Sequence, residues 1–162
     1  MIFHVLSIPI HPTCKEITLC AFTQKDYKFC VEMLKRGHTV YHYGHPDSKV
    51  PCTEHISVIS HLTYDNHFKG QKWQDGLPQQ IENKLHEEFN TNAAREALKR
   101  RHSNNDLVLA FWGIGHKSAC EKLQDSMIVV EPSIGYNSFF AHFRVFESYA
   151  HLHKMLGGAQ QD

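Results

Sequence analysis

Apolar positions change period several times along the chain, and each change marks an expected element. The run from Ile2 to Ile10, IFHVLSIPI, is β-prone, and Pro9 and Pro12 predict that its strand stops near Ser7 or Ile8. From Cys20 to Arg36 the residues Tyr27, Cys30, Val31 and Leu34 fall at helical spacing, with Gly37 behind them as a C-cap signal. The short strand HTVYHYGH follows, so strand, helix, glycine and strand open a βαβ unit. HISVIS at 55–60 alternates and predicts a third strand, after which 61–76 reads as a polar loop or excursion. Ile81, Leu85, Phe89, Ala93 and Ala97 then recur every four residues and predict a helix from Pro78 to Arg101. A strand over Leu107 to Trp112, a helix over His116 to Leu123 and a strand over Met127 to Val130 complete the alternation. The last pattern, FFAHFRVFESYAHLHKML at 139–156, has a wide apolar face at helical spacing and predicts a mostly buried helix.

Short continuous apolar strands alternating with helices predict an α/β fold, a Rossmann-like three-layer sandwich with a mostly parallel sheet. Residues 1–157 are expected to form this one domain, and 158–162 a linker or frayed terminus. Composition adjusts the picture at a few points. Lys plus Arg and Asp plus Glu are 17 each, which removes the electrostatic reason to expect nucleic acid as a partner. No apolar run approaches the roughly 18 residues needed to span a bilayer. The first segment also lacks the charged start and cleavage site of a secretion signal, so a cytoplasmic protein is expected. Five scattered cysteines suit reduced thiols, with Cys20, Cys30 and Cys120 as small core residues.

In a parallel sheet, ligands bind outside the carboxyl ends of the strands. The residues following each expected strand are therefore the candidates for a shared rim. They are Ser7, His11, Thr13 and Lys15; then His42, Gly44, His45 and Asp47; then Gly113, Gly115, His116 and Lys117; and last Glu131, Ser133, Gly135 and Tyr136. The stretch LVLAFWGIGHKSACE carries the strongest local signal, because its glycines permit close approach and the helix behind them presents unpaired N–H groups. A tight turn that needs two glycines explains the same residues, and no dinucleotide or phosphate-loop fingerprint is present. His42, His45, Cys52 and His55 have ligand-like spacing, but Pro46 and Pro51 intervene, and neither a metal nor another cofactor is expected. Ser118 and Ser133 lack a nucleophile elbow, and Cys120 lies inside a helix.

The blocks CAFTQKDYKFCVEMLKRGHTVYHYGHPDS, FWGIGHKSACE, VVEPSIGY and FRVFESYAHLH, in that order, resemble the amino-terminal half of a bacterial or phage glycosyltransferase of the two-Rossmann-domain (GT-B) architecture. The resemblance implies an acceptor-side domain that shares a catalytic cleft with a carboxyl-terminal half binding a nucleotide-sugar donor. It implies transfer of the sugar to a hydroxyl acceptor, with His116 as the matching position of a donor-facing His loop. The loop Pro9 to Lys15 lacks the glycine pair often found there, and the donor-binding carboxylates of a second half have no counterpart before Asp162. Under this reading His116, Glu131 and His11 are the catalytic candidates. Ser7, Thr13, Lys15, His45, Asp47, Gly113, Gly115, Lys117, Ser133 and Tyr136 are the substrate-binding ones. A stand-alone nucleotide- or sugar-binding module without turnover is the alternative, and a small hydrolase or metal-dependent enzyme a weaker third.

Overall fold

The computed structural model describes residues 1–70 and 83–157. Strand β1 (Ile2–Leu6) leads through helix α1 (Ala21–Lys35) to β2 (Thr39–Gly44) and β3 (Glu54–Ser57). Helices α2 (His61–Phe68) and α3 (Lys84–Lys99) precede β4 (Leu107–Ala110). A 3-10 turn (Gly113–His116), α4 (Lys117–Leu123), β5 (Ile128–Ile134), β6 (Phe143–Phe146) and α5 (Tyr149–Gly157) follow. The six strands form one sheet in the order β3-β2-β1-β4-β5-β6, and every pairing is parallel. This is the α/β Rossmann-like architecture, and among the described residues no helix is long and apolar enough to cross a membrane.

Two apolar layers sandwich the sheet because strand side chains alternate faces. Phe3 and Val5 of β1 join Cys30, with Phe29 and Met33 packed alongside, so α1 covers one face. Leu6 points the other way into a cluster with Leu85, Phe89, Ala93 and Ala97 of α3 and Ala119, Cys120 and Leu123 of α4. Full burial of side chains such as Leu85 or Phe89 contributes about 1.5–3 kcal/mol each. Helix α1 ends where expected: Gly37 adopts φ +76°, and the amides of Gly37 and His38 reach the carbonyls of Leu34 and Met33.

Five expectations need correction. The first eight residues of the expected polar loop 61–76 form α2, because the Ser60 hydroxyl caps the Thr63 amide and Lys69 closes the helix at φ 49°; residues 71–76 lie outside the described residues. The long helix is observed over Lys84–Lys99, with Asn83 accepting the His86 amide as N-cap, while 78–82 lie outside the described residues. Strand β5 runs on to Ile134, so Glu131 and Ser133 belong to the strand rather than to a loop behind it.

The largest correction falls on 139–156, which is an edge strand and a nine-residue helix instead of one buried helix. Glu131 accounts for it: its carboxylate takes the backbone amides of Phe140 and Ala141, which holds this connection extended, and β6 then pairs with β5. Phe143, Val145 and Tyr149 are consequently exposed, and α5 has no buried residue. Among the cysteines, Cys30 and Cys120 are core residues, but Cys20 is only half-buried at the start of α1. The expected linker 158–162 lies outside the described residues.

Candidate functional site

Strand order reverses between β1 and β4: the chain moves outward through β2 and β3 on one side and through β5 and β6 on the other. At such a switch point the connections leaving the carboxyl ends diverge and leave a crevice. Because all strands are parallel, the segments after β1, β2 and β4 and the end of β5 share one edge. Direct contacts join them. The Ser7 amide donates to the Tyr43 carbonyl, Thr13 is bonded to Ser48 and Lys49, and Lys25 of α1 reaches the Ser133 carbonyl.

The glycines of the β4 turn are explained by close approach. Gly113 adopts φ +53°, and a Cβ there would lie 2.3 Å from the Tyr136 ring. Gly115 faces the Trp112 indole, where a Cβ would come within 3.1 Å. Tyr136 thus seals the turn from the β5 side, and its hydroxyl donates to Glu131 Oε1 at 3.0 Å.

His116 lies beneath this turn with no exposed surface. Its ring stacks on Phe89 at 5.3 Å and meets Trp112 edge-on. Full burial, then the nearby His86, push its pKa down to about 3, with a smaller opposite pull from the Leu6 carbonyl. His116 is therefore a neutral imidazole at pH 7, and apart from the nearby Leu6 carbonyl, which lies outside good hydrogen-bond geometry, its ring nitrogens meet no polar group. Glu131 is equally buried, and its two oxygens accept three hydrogen bonds, from Tyr136, Phe140 and Ala141. His11, also buried, places Nδ1 3.3 Å from both the Pro12 carbonyl and the Thr23 hydroxyl.

The other candidates divide by exposure. Ser7, Thr13 and His45 are buried, Ser133 and Tyr136 are half-buried, and Lys15, Asp47 and Lys117 are exposed. Lys117 pairs with Glu121 at 3.7 Å. Burial drives His45 down to about 4, partly offset by Asp47; its Nδ1 accepts the Asp47 amide, so the hydrogen of the neutral ring sits on Nε2, which has no partner.

Beside the turn lies a hollow of about 570 Å³ lined by His86, Asn90, Thr91, Gly115, Lys117 and Ser118, among others. His86 and Asn90 are the residues that sequence reasoning missed. Both are buried polar residues one turn apart on the apolar face of α3. His86 Nδ1 lies 2.9 Å from Asn83 Oδ1, which can only accept, so Nδ1 carries the hydrogen and Nε2 presents a lone pair. Burial lowers the His86 pKa to about 4, which keeps this ring neutral. Asn90 spends both amide hydrogens on the carbonyls of His86 and Gly115, and its Oδ1 receives none. The two residues that line the hollow here thus each carry a buried acceptor without a donor. The detectable signal was polar residues at 86 and 90 between Leu85, Phe89 and Ala93, where a purely structural helix face carries apolar ones.

Among the described residues no group of three or more His, Cys, Asp or Glu side chains is placed to hold a metal ion. Compared with known proteins, the chain matches no family model, no curated protein and no solved structure at a significant level.

Proposed function

We propose that this chain is the acceptor-binding half of a sugar-transferring enzyme, seating a hydroxyl-rich acceptor between α3 and the β4 turn. The observation that carries the reading is the pair of buried, undonated acceptors, His86 Nε2 and Asn90 Oδ1, at a hollow of about 570 Å³. Hydrogen-bond acceptors without donors favour hydroxyl or amine groups and disfavour phosphate oxygens. This matches the acceptor side of the resemblance better than the nucleotide side. A second α/β half would bring the nucleotide-sugar donor across the switch-point edge. Glu131 is not the group that takes the acceptor proton, since its oxygens are committed to Tyr136, Phe140 and Ala141. Neutral His116 serves as a packed support for the turn rather than as an acid.

Saturation-transfer NMR against neutral oligosaccharides and a panel of nucleotide sugars tests this reading. The expected result is saccharide binding that His86→Phe weakens at least tenfold while the fold is retained, with no sugar transfer and little donor hydrolysis by the chain alone. Nucleotide-sugar binding without saccharide binding would overturn it in favour of a stand-alone nucleotide-binding module.

A further inference from the structure

On the opposite side of β1 from the hollow, α1, β2 and β3 bury a chain of polar groups that no step above uses. His42 of β2 is fully buried, with Nε2 3.1 Å from Asp26 Oδ2. Its Nδ1 is 2.9 Å from Nδ1 of His55 on β3, and His55 Nε2 is 3.1 Å from the His45 carbonyl oxygen. Asp26 also accepts the Thr13 hydroxyl at 3.0 Å and the Cys30 thiol at 3.4 Å.

Counting hydrogens decides the state of this chain. A carbonyl oxygen only accepts, so His55 Nε2 carries a hydrogen. Asp26 already accepts from Thr13 and Cys30, the pattern of an ionised carboxylate, so His42 Nε2, 3.1 Å from Oδ2, carries another. Two ring nitrogens 2.9 Å apart need a third between them, because bare lone pairs at that distance repel. Two neutral imidazoles supply only two hydrogens. We infer that His42 and His55 share one added proton, forming with Asp26 a buried charged clasp that fastens the loop after β1 to the loop after β2.

The surroundings agree with a single charge. The titratable groups around the pair are Asp26 and Cys30 from α1, Cys52 ahead of β3 and His45 behind β2, with His11, Asp47 and His61 beyond His45 and Glu54 beyond Cys52. Burial raises the Cys30 thiol and lifts Cys52 to about 11, so both stay uncharged. Burial and then His42 lower the His55 pKa, and the His45 carbonyl and Asp26 pull it the other way. Thr13 transmits the clasp: besides Asp26, its amide donates to Ser48 Oγ and its carbonyl accepts the Lys49 amide. The same loop carries His11, so the protonation state of the clasp sets how firmly one wall of the crevice is held.

The clasp is closed while the third proton is present, and it opens as pH rises and that proton leaves. Imidazole nitrogen-15 NMR on the intact chain reads the state directly, and three protonated nitrogens among the four of His42 and His55 are expected at neutral pH. Amide exchange at Lys49, corrected for intrinsic base catalysis, is expected to rise at least tenfold as the third proton is lost. Asp26→Asn is expected to shift that loss to lower pH. Two hydrogens on the two rings at neutral pH, or Lys49 exchange that does not follow the titration, would overturn the clasp. Neither readout involves a saccharide, so the clasp and the acceptor reading stand or fall separately.

Discussion

At the scale of single residues, one carboxylate and one glycine set the local geometry of the candidate site. Glu131 satisfies two backbone amides that an edge connection would otherwise leave unpaired, and Tyr136 completes its shell. Tyr136→Phe removes one donor from a buried carboxylate and is expected to cost about 1–3 kcal/mol, read from urea unfolding. Gly113→Ala sets a Cβ into the Tyr136 ring at positive φ, and overpacking of this kind costs about 1–3 kcal/mol. It is also expected to displace Tyr136, visible as a change in tyrosine fluorescence. The motif around Gly113 could be recognised in the sequence as a tight turn or a binding loop. The tyrosine that requires the glycine could not, because it arrives from 23 residues later through β5 pairing.

At the scale of elements, helical periodicity predicted α1 and α3 because each has one continuous partner face. It failed at 139–156, where Phe139, Phe143 and Phe146 satisfy a helical pattern yet lie around an edge strand. Phe143 and Val145 are 52% and 54% exposed on that strand, so Val145→Lys is expected to change stability by less than about 0.5 kcal/mol. The same change is expected to reduce association at high concentration, measured by sedimentation velocity, because a charged edge discourages strand pairing. Helix α2 depends on a different device. Ser60 caps the Thr63 amide, and Thr63 and the Ser60 amide both bond Glu88 of α3. Ser60→Ala is expected to cost about 1 kcal/mol and to raise amide exchange locally in α2.

At the scale of the whole molecule, buried neutral imidazoles dominate the response to acid. Burial lowers His4, His45 and His86 to about 4 and His116 to about 3. In the unfolded chain these rings take a proton near pH 6.5, with a value of about 1.4 kcal/mol for each unit of difference. The unfolded state therefore binds more protons as pH falls from about 6.5 toward 4, and stability must decline across that window. Tm measured from pH 8 to pH 4 is expected to hold on the alkaline side of the window and fall steeply below it; a flat profile would contradict neutral burial. Asp106 moderates the effect at His4, 3.6 Å away, and offers no comparable relief to His116.

The sequence by itself determined the alternation of strands and helices, the parallel sheet that follows from it, and the edge on which Ser7, His11, His45, Gly113 and His116 would gather. Those properties depend on periodicity and strand direction, which are local or follow from simple chain geometry. Tertiary structure alone decided that His116 is sealed under Phe89 and Trp112, that Glu131 is spent on backbone amides, and that His86 and Asn90 keep unpaired acceptors beside a hollow. Only folding could bring His42, His55 and Asp26 within hydrogen-bond distance. The chemistry of an imidazole or carboxylate is set by which donors, acceptors and charges surround it. In this protein those neighbours come from distant segments that meet only after the sheet has formed.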